Sequence, residues 1–171
     1  MNADPSSDQP GKASQSAWRA FLWVALALAV VYVPIFFGRI VFFRDIAHWI
    51  FPARIFVRES LLRAELPAWN PLQGLGFPAL SNPLYGVFYP PNWLFLLVGP
   101  DWAASLITWQ DFAHLLWGSA GVFWLARRFR ATPVSAMVAA LAWALSGYVT
   151  SQWTAGLRLH AAAWMPWAAV G

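Results

Sequence analysis

Ala20-Phe21-Leu22-Trp23-Val24-Ala25-Leu26-Ala27-Leu28-Ala29-Val30-Val31-Tyr32-Val33-Pro34-Ile35-Phe36-Phe37 runs without a single charge. At 1.5 Å per residue it makes about 27 Å of helix, close to the hydrocarbon thickness of a bilayer. A signal peptide has a shorter apolar region followed by a small-residue cleavage site. Here Pro34 and then Gly38-Arg39 follow instead, so the run reads as a retained transmembrane helix, kinked near its end by Pro34.

The composition agrees. The 171-residue chain is 60% hydrophobic and only 11% charged, where a soluble domain carries about 25% charged residues. Too little polar surface is available to cover a water-soluble globule. Thirteen Trp and thirteen Phe residues suit the headgroup level, where an indole is apolar on its face and wet at its N–H. There is no cysteine, which excludes disulfides, Cys-ligated zinc and iron–sulfur clusters. The formal charge of +4 comes from arginines at segment ends. It is explained by anionic lipid and positive-inside anchoring, not by nucleic acid.

Outward from the first run, residues 1–16 read as a polar, disordered cytoplasmic tail, and 17–171 as the N-terminal part of a transmembrane domain. Further spans are expected at 102–126, at 134–149 behind the cap Thr132-Pro133, and from 161 onward. Gly118, Gly121 and Ser146-Gly147 read as close-packing positions between helices. The fold class is therefore all-α: a polytopic integral membrane protein with a long first loop at 38–100. Within that loop, 53–66 reads as an amphipathic interfacial helix, with Glu59 and Arg63 paired at i, i+4. The Pro/Gly/Asn-rich stretch 66–92 reads as an ordered loop on the membrane surface. The chain stops inside an apolar run, so a longer protein is expected.

Arg127-Arg128-Phe129-Arg130 sits in a very short loop, where the positive-inside rule is strongest. That loop is expected in the cytoplasm, which puts 38–100 outside. Five arginines there, Arg39, Arg44, Arg54, Arg58 and Arg63, go against the rule and call for an anionic partner.

Chemistry-bearing residues gather on this outer side. Asp45 has two readings: an N-cap for the helix that starts at Ile46, or a carboxylate at the membrane–water boundary acting as general base or metal ligand. His48 follows within one turn. Asp111 and His114, spaced i, i+3 in the second span, read either as a structural pair or as groups facing a cavity. His160 falls at the same leaflet, so Asp45, His48, Asp111, His114 and His160 are expected to converge there.

Arg44-Asp45, Glu65-Leu66-Pro67-Ala68-Trp69-Asn70-Pro71, Gly76-Phe77-Pro78, Phe88-Tyr89-Pro90-Pro91-Asn92, Leu141 to Tyr148 and His160 with Ala163 to Pro166 come in an order that resembles YfhO-like bacterial membrane proteins of the GT-C superfamily of glycosyltransferases. The resemblance spans about Phe21 to Gly171. It implies a GT-C-like helical bundle in the bacterial cytoplasmic membrane, multi-pass, with its active face extracytoplasmic. It implies an enzyme that moves a sugar from a polyprenyl-phosphate donor to a cell-envelope acceptor, with Asp45 as general base. Arg39, Arg44, Arg54 and Arg58 would hold the donor phosphate. His48, Trp69, Asn70, Tyr89, Asp111, His114 and His160 would line the substrate site. A divalent metal ion is part of what the resemblance implies; many GT-C enzymes carry two adjacent acidic residues at this place, and Arg44-Asp45 departs from that pair. The alternative, in a different class, is a non-catalytic protein: a lipid-linked sugar translocation factor or an envelope assembly scaffold.

Overall fold

Tyr32 is where the first hydrophobic run stops being one helix. In the computed structural model, which describes Pro10–Val170, α1 covers Pro10–Val31 and a separate turn, α2, covers Val33–Phe36. Pro34 has no N–H to offer Val30, and its ring crowds that carbonyl, so the continuous span expected over 20–37 is broken. At the other end α1 begins at Pro10, so residues 10–16, expected in the tail, are helical. The rest of the expected tail, residues 1–9, lies outside the described residues.

The remaining helices are α3 (Phe51–Leu62), α4 (Pro100–Arg128), α5 (Pro133–Ala144), α6 (Gly147–Ser151) and α7 (Leu157–Val170). A π-helical turn at Ile46–Ile50 leads into α3, and 3-10 turns occupy Pro83–Tyr85, Pro90–Leu97 and Gln152–Thr154. The described residues contain no strand; the one β feature is an antiparallel bridge between Asn70 and Phe77. The all-α expectation holds. Pro133–Thr154 is the one helical run among the described residues long and apolar enough to cross a membrane, with mean hydropathy 1.4. The apolar part of α1, Gln15–Val31, is shorter.

The described chain separates into two compact units. The first takes everything up to Val33, then His114–Thr150, then Ala161 onward. Here α1 packs on α5. The buried face of α1 is Ala17, Ala20, Val24 and Leu28, at helical spacing, and that of α5 is Ala136, Ala140 and Ala144. Alanines four apart allow close approach of the two backbones. Thr132 caps α5 as expected, its hydroxyl accepting from the Ser135 N–H at 3.2 Å. Gly118 faces the Trp143 ring and the Ala163 backbone, and Gly121 faces Pro166 and Trp167, so both are close-packing positions. Gly147 has open space around it and is not one. The Trp117 ring stacks on Trp167 at 4.4 Å, and Trp167 donates its indole N–H to the Trp117 carbonyl at 2.9 Å.

The second unit takes Pro34–Ala113 and Ser151–His160. One apolar cluster joins Ile46, Ile50, Phe95, Ala103 and Ile107; another joins Ala53, Val57, Ala79, Tyr85 and Val87. The stretch 66–92 is ordered, as its aromatics led one to expect. Asn70 and Phe77 exchange backbone hydrogen bonds at 2.7 and 2.8 Å. The Asn70 amide also donates to the Tyr85 hydroxyl at 2.9 Å. The amphipathic helix is real but ends at Leu62, not 66. Glu59 pairs with Arg58 at 2.5 Å and Arg63 with Glu65 at 3.1 Å, so the expected Glu59–Arg63 pair does not form. Each guanidinium has a closer carboxylate within two residues.

Candidate functional site

The second unit contains two polar assemblies, one open and one sealed. The open one begins at Arg44. Its φ is +49°, a left-handed backbone that a non-glycine residue adopts at a cost of about 1–2 kcal/mol. Such outliers gather at functional positions, and so do π turns, one of which follows at once. Asp45 stands at the head of that turn, in a helical conformation, and its side chain caps nothing. The capping reading is thereby corrected: Asp45 already has helical φ and ψ, whereas a cap residue turns its backbone out of the helix to reach back. Asp45 and His48 are both exposed.

His48 and Trp49 form one wall of a groove of about 780 Å³, which continues along α3 through Phe51, Glu59 and Arg63 and across to Gln73. Asn70 also borders it, but its amide is committed to Tyr85 and its carbonyl accepts from the Leu72 N–H at 2.9 Å. Trp69 is more than half exposed and does not border the groove.

The sealed assembly centres on Asp111. Its carboxylate bonds the His160 Nε2 at 2.8 Å, with the two side chains 0% and 7% exposed. Tyr89 stacks on the imidazole, ring centres 5.8 Å apart. Arg54 is buried as well, and its charge attracts Asp111. Burial pulls the Arg54 pKa down to about 10, while Asp111 pulls it back up. The guanidinium donates to the carbonyls of Leu84 and Tyr85, at 3.1 and 2.5 Å. Below this, Gln110 donates to the Pro91 carbonyl at 2.5 Å and Asn92 to the Gly86 carbonyl at 2.8 Å. A carboxylate bonded to an imidazole fixes the ring's orientation. With both groups out of water, the pair acts as a pin between α4 and the first turn of α7.

The expected constellation thus divides. Asp111, His160, Tyr89 and Arg54 come together in the interior. Asp45 and His48 lie on the surface. His114, buried, belongs to the first unit. Of the four arginines expected on a phosphate, Arg54 and Arg58 spend their donors internally: Arg58 Nε reaches the carbonyls of Phe95 and Val98 at 3.0 and 2.8 Å, and its Nη1 reaches Glu59. Arg39 and Arg44 are exposed, and their guanidinium groups make no hydrogen bond or ion pair among the described residues. A divalent ion needs several oxygen or imidazole donors at once. Among the described residues no three His, Asp or Glu side chains are placed to hold one, so the donor set does not fit the metal that the resemblance implies. Gln73, Glu59 and Arg63 went unread as site residues. Gln73 sits in a proline- and glycine-rich loop with no motif around it, and the other two read as a surface ion pair.

No protein-family model, no curated protein and no solved structure matches this chain.

Proposed function

We propose that the protein is a membrane glycosyltransferase of the GT-C type, moving a sugar from a polyprenyl-phosphate donor to an extracytoplasmic cell-envelope acceptor. Asp45 is its general base. The single observation that carries this reading is the placement of the carboxylates. Asp45 is exposed, three residues before the groove-wall residue His48 and directly after a strained Arg44, whereas Asp111 is locked in a buried pair with His160. A base must reach the proton it removes, and of these two only Asp45 is accessible to a substrate. The residue resemblance around Arg44-Asp45 and the loop behind it supplies the reaction class.

The Asp45 carboxylate takes the proton of an acceptor hydroxyl. The acceptor oxygen bonds to the anomeric carbon of the donor sugar, and the bond from that carbon to the phosphate oxygen breaks. Its electron pair leaves on polyprenyl phosphate. Arg39 and Arg44, whose guanidinium groups have no hydrogen bond or ion pair among the described residues, stabilise the charge that develops there. Apolar surface supports the membrane setting. Only 22% of the apolar window in Pro133–Thr154 is buried, and Trp18, Leu22, Trp23, Leu26 and Val30 expose one side of α1. The core helix of a water-soluble protein would be covered instead.

The test is transfer from a polyprenyl-phosphate sugar by the membrane-embedded protein carrying Asp45→Asn. Loss of a general base costs 10²–10⁴-fold, so turnover should fall by at least about a hundredfold at unchanged expression; unchanged turnover sinks the assignment. One observation favours the second reading, a non-catalytic carrier or scaffold: Arg54 and Arg58 are spent on backbone carbonyls, which leaves fewer cations for a leaving phosphate. Donor-lipid binding with no transfer to any acceptor would establish it.

A further inference from the structure

We infer that the groove walled by His48, Trp49 and α3 is the acceptor subsite and that it takes an uncharged saccharide of a few sugar units. The inference rests on the glycosyl-transfer reading for the word acceptor, but its argument comes from the groove. Its charged lining is Glu59 and Arg63, one of each sign. An anionic phosphate headgroup calls for converging cations and here would meet Glu59 as well as Arg63. A bare isoprenoid or acyl chain would fit the apolar walls of Phe51 and its neighbours. It would also strip water from His48, Glu59, Arg63 and Gln73 with nothing offered in return, which disfavours its binding.

A neutral saccharide meets both halves of the lining. Its C–H face packs on an aromatic ring, and its hydroxyls both donate and accept. Trp49 is about half exposed, and its indole N–H makes no hydrogen bond among the described residues. The His48 ring is equally uncommitted. Glu59 keeps one carboxylate oxygen beyond its bond to Arg58, and Gln73 keeps its amide N–H groups beyond the bond its carbonyl accepts from Tyr85. These groups donate and accept along one trough. At about 780 Å³ the groove lies in the upper part of the 300–1,000 Å³ range of ligand sites, which sets the ligand at a short oligosaccharide and not a single sugar. His48, three residues beyond Asp45, sets the reacting end at that end of the groove.

The experiment is ligand-observed NMR on the intact protein in phosphatidylcholine nanodiscs, titrated with cellotriose, maltotriose and chitotriose. At least one should bind saturably, with an affinity unchanged between low and high salt because the ligand is neutral. Trp49→Ala should weaken binding by at least about tenfold. His48→Ala, at an exposed ring whose loss leaves no buried partner, should weaken it about threefold or more. Binding should persist in Asp45→Asn. The inference is overturned if none of the three sugars binds, if binding ignores both Trp49→Ala and His48→Ala, or if a short isoprenyl phosphate displaces the sugar. Glycan binding without any transfer would leave the groove standing and remove the catalytic reading. Transfer that depends on Asp45 without glycan binding would do the reverse.

Discussion

Arg54 reads in the sequence as one more outward cation on an amphipathic helix, and a helical projection alone puts it off the apolar side. In the folded unit its guanidinium is the hub of the loop that carries the groove, bonded to two carbonyls and facing Asp111. Arg54→Met would leave the part-buried Leu84 carbonyl and the buried Tyr85 carbonyl without their donor and Asp111 without its nearby cation. Each orphaned group costs about 1–3 kcal/mol and a stranded buried charge more, so a loss of about 3 kcal/mol or more is expected in chemical unfolding of the purified protein. Arg54→Lys, which keeps the charge and one donor, should recover part of it. An unchanged midpoint for Arg54→Met would contradict the hub role. His160→Ala removes the imidazole partner of Asp111 and should likewise destabilise, by about 3 kcal/mol, read in the same unfolding experiment; a shift no larger than that of an exposed-site alanine would show that the pair is not a pin. These are effects on stability, distinct from the loss of turnover without loss of fold that Asp45→Asn should give.

Elements carry a different lesson, visible in two glycines that the sequence treats alike. Gly118 on α4 has the Trp143 ring against it and the Ala163 Cα 3.0 Å from where a Cβ would stand; Gly147, at the start of α6, has nothing within 4 Å. Alanine gains up to about 1 kcal/mol over glycine in a helix, while overpacking a tight contact costs about 1–3 kcal/mol. Gly118→Ala should therefore destabilise by about 1 kcal/mol, and Gly147→Ala should stabilise by about 0.4–1 kcal/mol, both measured as shifts in thermal unfolding in detergent. Equal shifts of one sign would remove the packing argument. Caps and breaks were open to reading from local chemistry: Thr132-Pro133 opens α5 where capping chemistry puts it, and the break before α2 follows from the proline in the first run. Which glycine meets a neighbour was not open to reading in this way, since that depends on residues twenty-five and more positions away.

At the scale of the whole molecule, the proposed topology is tested through an absence in the composition. The chain has no cysteine, so a single introduced one reports without background. Ser81→Cys and Phe129→Cys replace exposed side chains in the long loop and in the arginine-rich turn. A membrane-impermeant maleimide should label the first in intact spheroplasts and the second only after lysis; equal labelling would overturn the orientation derived from the arginines. The all-helical class was determined by the sequence alone, because long uncharged runs and proline and cap positions act through neighbours along the chain. So was the order of the connecting stretch 66–92, from its aromatics. Only the tertiary structure decided which polar residues meet. Asp111 pairs with His160 forty-nine residues away, Arg54 turns inward onto carbonyls thirty residues on, and Asp45 stays exposed, while His48 three residues on walls a groove that also takes in Gln73. A buried polar group must find a partner wherever the fold supplies one, and sequence spacing places partners only within a turn or two of the same helix. That is why the predicted five-residue cluster divides into an interior pin and an accessible carboxylate.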